Sequence, residues 1–461
     1  MNIKFRLTLM TFMQFFVWGA WLITIANYWF GTKQWDGAQF GLIFATMGFA
    51  SLFMPTITGI IADKWINAEK LYAILHILYA ATLIYIPQVE TPNEFFWVIF
   101  MAMCFYMPTI SLSNSISYGT LKSNNFDVIK DFPPIRVWGT VGFIAAMWAT
   151  NLTGSKASAN QFYIAGFSAL ALGIYAFTLP KCAPSKSLEE KTTFAQRLGL
   201  DAFKLFANYK MALFFIFSMF LGGALQLTNA YGDVFLDEFK LFPIYAESFV
   251  IKYSTIIMSI SQVSETLFIL AIPFFLKRFG IKKVMVIAML AWVFRFGLFA
   301  YGDPAGNLWM IVFSCIVYGM AFDFFNISGS LFVETSTTPK TRSSAQGLFM
   351  MMTNGFGAVL GSIVSGWMIQ KYFTKGYTTV QSLADYVGSA ANDTHLLKFL
   401  NEKGIQVSAD GSLSRALDVK DWHSIWLSFT IYALVITVLF MIFFKHKHTK
   451  AEEKAIEAIS Q

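Results

Sequence analysis

Residues 181–210 read KCAPSKSLEEKTTFAQRLGLDAFKLFANYK, a polar stretch in the middle of an otherwise apolar chain. The stretch carries six Lys or Arg residues and no run of the roughly 20 apolar residues that a membrane-crossing helix needs. Because it interrupts two long apolar regions, we predict that it is a cytoplasmic linker between two membrane-embedded halves, residues 1–180 and 211–445.

Six apolar runs precede this linker and six follow it, each long enough for one helical crossing of a bilayer. The runs lie near 7–30, 38–61, 71–87, 95–119, 134–151, 160–179, 211–235, 249–275, 284–301, 308–333, 343–371 and 422–444. We therefore predict an all-α polytopic membrane protein with 12 transmembrane helices in two six-helix bundles. The polar residues 374–421 are predicted to form an external loop, and residues 446–461 a cytoplasmic tail.

The composition agrees with a membrane protein and excludes a water-soluble fold. Hydrophobic residues make up 56% of the 461 and charged residues only 13%, against roughly a quarter in soluble proteins. The net charge of +7 does not indicate nucleic-acid binding, because Lys and Arg are spread through short loops.

The same loops predict the orientation. With a cytoplasmic amino terminus, the inner gaps and the two termini hold 23 Lys and Arg residues, and the short outer gaps hold four. Both termini are therefore predicted to be cytoplasmic. The first run is too long for a signal peptide and is expected to remain as a helix.

Three ionisable residues lie at similar depth inside predicted helices. Arg136, Glu265 and Asp323 are each about 15 residues, or roughly 22 Å, from the outer ends of their runs. A charge at membrane depth costs several kcal/mol unless it is paired or hydrated, so each is a candidate functional residue. Glu265 and Asp323 are candidate proton carriers. A purely structural salt bridge from Arg136 to one of them is the alternative.

Helical spacing places further polar and aromatic residues near these charges. They are Thr140, Phe143, Gln226, Asn229, Gln262, Tyr318 and Phe322, with Asn326 close by. Together they suit a flat, polar, ring-shaped solute, since aromatic rings stack on its faces and amides or acids bind its edges. Taken singly, the rings also suit lipid-facing positions and the amides suit ties between helices.

Other polar residues are given conformational or structural roles. Arg295 and His76 are interpreted as structural because neither has a polar partner on its own helix face. Asp63 and Lys64 are expected to brace an inner loop and to contribute to gating. The matching basic turns after the second and eighth runs resemble the parallel repeat of the major facilitator superfamily.

Three segments closely resemble the nucleoside:proton symporter family of that superfamily. They are DFPPIRVWGT at 131–140, SISQVSET at 259–266 and YGMAFDFFNISG at 318–329. The resemblance extends from the amino terminus to about Tyr372 and resumes in the last run. The external loop, about 374–421, looks longer than the family pattern.

The resemblance implies import of purine and pyrimidine nucleosides, such as uridine and adenosine, driven by the proton gradient without a cofactor or metal. It also implies a monomer in a bacterial inner membrane. The residues it places around the nucleoside are Arg136, Thr140, Phe143, Gln226, Asn229, Gln262, Glu265, Tyr318 and Phe322, with Asp323 beside them.

The expected mechanism is alternating access, with protonation of a buried carboxylate on the outside permitting nucleoside binding. A permease of the same fold for a sugar or another polar metabolite remains an alternative, as does a solute sensor that does not transport. An enzyme is not indicated, because the sequence has no HExxH motif and no serine or cysteine beside a membrane histidine.

Overall fold

The computed structural model describes residues 2–183, 200–245, 248–337 and 339–446. Most of this chain is helical, because an apolar segment in lipid can satisfy its backbone hydrogen bonds only internally. The first half contains helices α1 Ile3–Gly19, α2 Gly37–Lys64, α3 Ala68–Tyr85, α4 Pro92–Ser123, α5 Val128–Leu152 and α6 Asn160–Ala176. Most of the predicted linker (184–199) and nearly all of the predicted tail (447–461) lie outside the described residues.

The second half contains more helical segments because several apolar runs are interrupted. They are α7 Tyr209–Glu238, α8 Ser254–Tyr301, α9 Leu308–Ala321, α10 Asp323–Ser336, α11 Pro339–Met350, α12 Ala358–Tyr372, α13 Val380–Val387, α14 Thr394–Glu402 and α15 Trp422–Phe443. Short helical turns join these helices at Asn27–Lys33, Ile86–Gln88, Leu200–Ala207, Phe239–Leu241, Pro243–Tyr245, Phe249–Lys252 and Met351–Gly357.

Every predicted apolar run coincides with helical structure, and two of the runs fall within α8. This 48-residue segment is broken at Gly280, whose φ of 73° and ψ of 167° are accessible essentially only to glycine. Eight helical stretches in the described chain are long and apolar enough to cross a membrane, with α8 counted once. The number of twelve crossings stays a prediction.

The two halves pack against each other through two pairs of helices. Helix α2 lies along α12. The two backbones are so close that a Cβ at Gly41 would overlap the Ser362 carbonyl oxygen and lie 3.2 Å from Gly366 Cα. Helix α5 lies along α8, and the Trp148 indole donates a hydrogen bond to the Ser259 hydroxyl at 2.8 Å. The remaining contacts of α1, α3, α4 and α6 are made mainly within the first half.

The predicted external loop is an ordered subdomain with two strands that the sequence did not predict. Strand β1 Thr374–Thr379 pairs antiparallel with β2 Ser412–Lys420, and α13 and α14 lie between the two strands in sequence. A small apolar core that includes Leu383, Leu396 and Leu400 holds it together. We call the end of the molecule that carries this subdomain the hairpin face. The opposite end, where α1 begins and α15 ends, is the terminal face.

Candidate functional site

Arg136 lies on α5 with its guanidinium over an aromatic ring of α1. The Cζ atom is 4.3 Å from the centre of the Phe15 ring. Gly139 makes room for this arrangement, since a Cβ there would lie 2.8 Å from Arg136 Nη1 and 2.7 Å from Phe15 Cδ2. The Arg136 residue as a whole is half-buried.

Glu265 and Asp323 both lie within electrostatic range of Arg136, as the depth argument predicted. Glu265 is on the part of α8 that precedes Gly280, and Asp323 begins α10 directly after the end of α9. In the described chain, neither carboxylate comes within 4.0 Å of the guanidinium to form an ion pair. The structural salt bridge that the sequence left open is therefore absent from this conformation, in which the guanidinium lies against Phe15.

Several buried polar atoms of the predicted site residues have no hydrogen-bond partner in the part of the chain that the structure describes. They are Asp323 Oδ2, Gln226 Oε1 and Gln262 Oε1. Gln226 is 8% exposed and Asp323 is 7% exposed, while Asn229 and Gln262 are half-buried. Leaving such atoms unpaired costs about 1–3 kcal/mol each, so a polar solute or water is expected to bind them.

The predicted aromatic residues lie on both halves. Phe143 is buried and packs edge-to-face with Trp18, with ring centres 6.2 Å apart. Tyr318 is buried against Trp292 at 5.9 Å, also edge-to-face. Phe322 and Thr140 are half-buried. Each half therefore contributes a ring held by a tryptophan.

Two further residues lie next to these rings: Trp18, which sequence reasoning missed, and Arg295, which it interpreted as structural. The Trp18 indole N–H is buried without an acceptor, beside Phe143. Arg295 was expected to be structural because it has no polar partner on its own helix face. It donates hydrogen bonds to Thr228 and Ser261, and its Cζ lies 4.5 Å from the Tyr318 ring centre. These partners come from other helical segments, which the spacing within one helix does not reveal.

The sequence also predicts structural or gating roles for His76, Asp63 and Lys64. The His76 ring is fully buried, and its Nδ1 lies 3.0 Å from the Tyr72 carbonyl oxygen, as suits a structural residue. Lys64 ends α2 and is exposed. The Asp63 side chain lies outside the described part of the structure, so the bracing role stays a prediction.

A group of contacts between the halves lies between the buried charges and the hairpin face. Lys156, in the loop after α5, pairs with Asp237 at 2.5 Å and donates a hydrogen bond to Ser254 at 2.7 Å. Asn27 donates to Asp233. Burial alone would lower the pKa of Lys156, but the carboxylates of Asp237 and Asp233 outweigh burial and raise it.

Further polar contacts between the halves lie on this side of the site. Besides those of Lys156 and Asn27, the described side-chain bonds join Trp148 to Ser259, Asn151 to Thr255 and Gln34 to Lys403. On the terminal face, Lys4 pairs with Asp131 and Lys282 donates a hydrogen bond to the Met441 carbonyl oxygen, each within one half. The molecule is therefore closed towards the hairpin face.

The cavities agree with this asymmetry. One cavity, of about 1230 Å³, lies on the hairpin face and is lined by residues of the β subdomain and of the closing contacts, such as Asp237, but not by Arg136. A cavity of about 380 Å³ lies on the terminal side of Asp323 and is lined by Asn326, Ser330, Glu334 and Gln346, among others. We assign the site by its buried charges and unpaired amides, because volume alone identifies no ligand chemistry.

Comparison with known proteins identifies the family. The sequence model of the Nucleoside H+ symporter family matches residues 1–449. The chain is 46% identical to the nucleoside permease NupG of Escherichia coli (strain K12) over 98% of both chains. It is also 46% identical to the xanthosine permease of the same organism, over 97% of both chains.

A crystal structure of the nucleoside transporter NupG matches with a TM-score of 0.81 at 45% identity, covering 97% of this chain and 100% of that one. The fold is therefore that of the major facilitator superfamily of transporters, and the chain is not an enzyme. By sequence and by structure, this protein belongs to the nucleoside H+ symporter family.

Proposed function

We propose that this chain imports nucleosides together with protons by alternating access, through the site formed by Arg136, Glu265 and Asp323. The observation that carries the proposal is that Arg136 of the first half interacts with two carboxylates of the second, beside amide oxygens that have no hydrogen-bond partner among the described residues. A stable, purely structural interior would pair these groups with one another. Family membership supplies the solute class and the coupling ion.

The nucleoside would bind between the rings and amides of the two halves. Phe143, Tyr318 and Phe322 would pack against the base or sugar, since ring faces and edges attract one another. Gln226, Asn229 and Gln262 would satisfy polar atoms on the edge of the base, because an amide both donates and accepts hydrogen bonds. Arg136 and Thr140 would supply further donors.

Proton coupling would use Glu265, Asp323 or both. A carboxylate at membrane depth is costly when charged, so protonation from the outside favours the loaded form. As the halves rock, the approach of Arg136 would favour the ionised carboxylate and release the proton inside. The proton gradient is the energy source in this scheme, with no cofactor.

The structure corresponds to the form that is closed on the outside, if the hairpin face is the outer one. The positive-inside distribution supports this orientation, which places both termini in the cytoplasm of a bacterium with the protein in its inner membrane. One chain supplies every residue of the proposed site, which supports transport by a monomer. Uridine and adenosine are the proposed first substrates.

The test is uptake of labelled uridine by cells that lack their own nucleoside permeases, at mildly acidic external pH, with and without a protonophore. Accumulation that collapses with the protonophore is the expected result. Equal uptake in both conditions would contradict proton coupling. Competition by free ribose but not by adenosine would favour a sugar permease, and binding without net flux would favour a sensor.

A further inference from the structure

Arg295 is a fully buried cation in the part of α8 that follows Gly280. Its side chain is 0% exposed, and within the described chain no carboxylate forms an ion pair with it. A buried charge without a counter-ion is costly and is retained only where its other contacts are specific. The contacts of Arg295 therefore identify what it does.

The guanidinium reaches three helices that carry the proposed ligand residues. Its Nε donates to the Thr228 hydroxyl of α7 at 3.3 Å, and Nη1 donates to the Ser261 hydroxyl of α8 at 3.4 Å. Nη1 also donates to the Ser314 carbonyl oxygen of α9 at 2.9 Å. One planar group thereby joins three separate segments of backbone.

Each contact lies close to a proposed ligand residue. Thr228 directly precedes Asn229, Ser261 directly precedes Gln262, and Ser314 lies one helical turn before Tyr318. The Arg295 Cζ lies 4.5 Å from the Tyr318 ring centre, so the tyrosine is contacted directly. A shift of Arg295 would therefore move the amides and the ring together.

Only arginine can make this set of contacts. A guanidinium donates hydrogen bonds in its plane and stacks against aromatic faces at the same time, whereas the lysine ammonium is a compact, strongly hydrated charge. The Phe299 ring centre also lies 4.9 Å from Cζ. The geometry combines in-plane donation with aromatic contact.

We propose that Arg295 is a positioning residue that holds α7, α8 and α9 in the register at which Asn229, Gln262 and Tyr318 bind one nucleoside. It acts from behind the site, since it has no exposed surface in this conformation. The inference rests on the proposed nucleoside-binding function and extends it to a residue outside the binding surface.

The test compares uridine affinity in purified protein with the kinetics of uptake in cells. The variants are Arg295→Lys, Arg295→Met and the uncharged pair Thr228→Val with Ser261→Ala, which removes two acceptors and leaves the arginine in place. Arg278→Met is the control, since Arg278 is an exposed arginine of the same helix α8, on the part that precedes Gly280.

The expected result is weaker uridine binding and a higher KM with a smaller change in maximal rate. The loss of one ordinary hydrogen bond changes an equilibrium constant by roughly 5-fold. We therefore expect the Kd for uridine to rise by at least this factor in the Thr228→Val, Ser261→Ala variant. Both Arg295 variants are expected to bind more weakly still, because lysine cannot restore the geometry. Arg278→Met should match the unaltered protein.

Three results would overturn the inference. One is wild-type affinity in the Thr228→Val, Ser261→Ala protein, and another is full rescue by Arg295→Lys. The third is a fall in maximal rate with unchanged affinity and KM, which would assign Arg295 to the conformational change. A failure of the unaltered protein to bind or transport uridine, adenosine or any other nucleoside would instead reject the proposed function.

Discussion

Arg136 rests on Phe15, with its guanidinium carbon 4.3 Å from the ring centre, while two carboxylates within electrostatic range form no ion pair with it. A cation held against an aromatic ring can move to a carboxylate or a solute at low cost, because cation–π contacts are worth about 0.5–2 kcal/mol. Arg136 can therefore exchange partners during the transport cycle.

Gly139 is predicted to be essential for this position of Arg136. In a Gly139→Ala variant, the new Cβ would meet Arg136 Nη1 and the Phe15 ring at less than van der Waals distance, so the guanidinium must move. We expect the KM for uridine uptake to rise by roughly 10-fold, the effect of about 1.4 kcal/mol. Gly59→Ala is the control, since nothing lies within 4 Å of a Cβ there. Equal kinetics in the two variants would reject the prediction.

Replacing each carboxylate by its amide should separate solute binding from proton coupling. Asp323→Asn and Glu265→Gln remove a titratable group but keep its approximate shape. In the variant at the proton-carrying residue, concentrative uptake should fall by at least about 10-fold. Exchange of labelled for unlabelled nucleoside should persist, because exchange needs no net proton movement. Glu402→Gln, at an exposed position of α14, is the control. If both amide variants still concentrate uridine against a gradient, neither residue is the coupling site.

Lys156 is predicted to hold the hairpin face closed. Lys156→Ala leaves Asp233 and Asp237 close together without the cation that joins them to the other half, and removing one partner of a buried pair is strongly destabilising. Spin labels at Ser158→Cys and Lys252→Cys, in a background without Cys104, Cys182 and Cys315, should report a longer distance across this face. Lys156→Arg keeps the charge and should preserve the shorter distance. An unchanged distance in Lys156→Ala would show that the remaining contacts suffice.

The Lys156 bridge should not be the origin of pH-dependent uptake. Since the pKa of Lys156 is raised in the folded protein, the stabilisation it provides is present below the ordinary lysine range and is lost only as pH rises through the raised value. Between about pH 5 and 8 the bridge stays intact, so Lys156→Arg should have the same pH profile of uptake as the unaltered protein. A shifted profile for Lys156→Arg would implicate this contact in coupling.

The alternation of apolar runs with basic loops was enough to predict the arrangement of the chain. Lipid allows few backbone structures, so the length and position of each run indicate a helix, as α2 to α7 confirm. Depth along each helix likewise predicted that Arg136, Glu265 and Asp323 lie in one layer, and the structure brings them within electrostatic range of one another. Spacing within a helix could not show which neighbouring helix faces which, and for that reason the partners of Arg295 on other helical segments were not predicted.

The β subdomain was missed for a related reason. Residues 374–421 are polar and of mixed charge, so they lack the periodicity that a lipid-facing segment must show, and their two strands pair only across the intervening α13 and α14. The sequence by itself determined the helical transmembrane halves and the charged layer within them, because burying polar groups in lipid is so costly. Only the tertiary structure decided that Arg136 contacts Phe15, that Arg295 joins three helices and that Lys156 pairs with Asp237 of the other half, since these contacts depend on how separate helices pack.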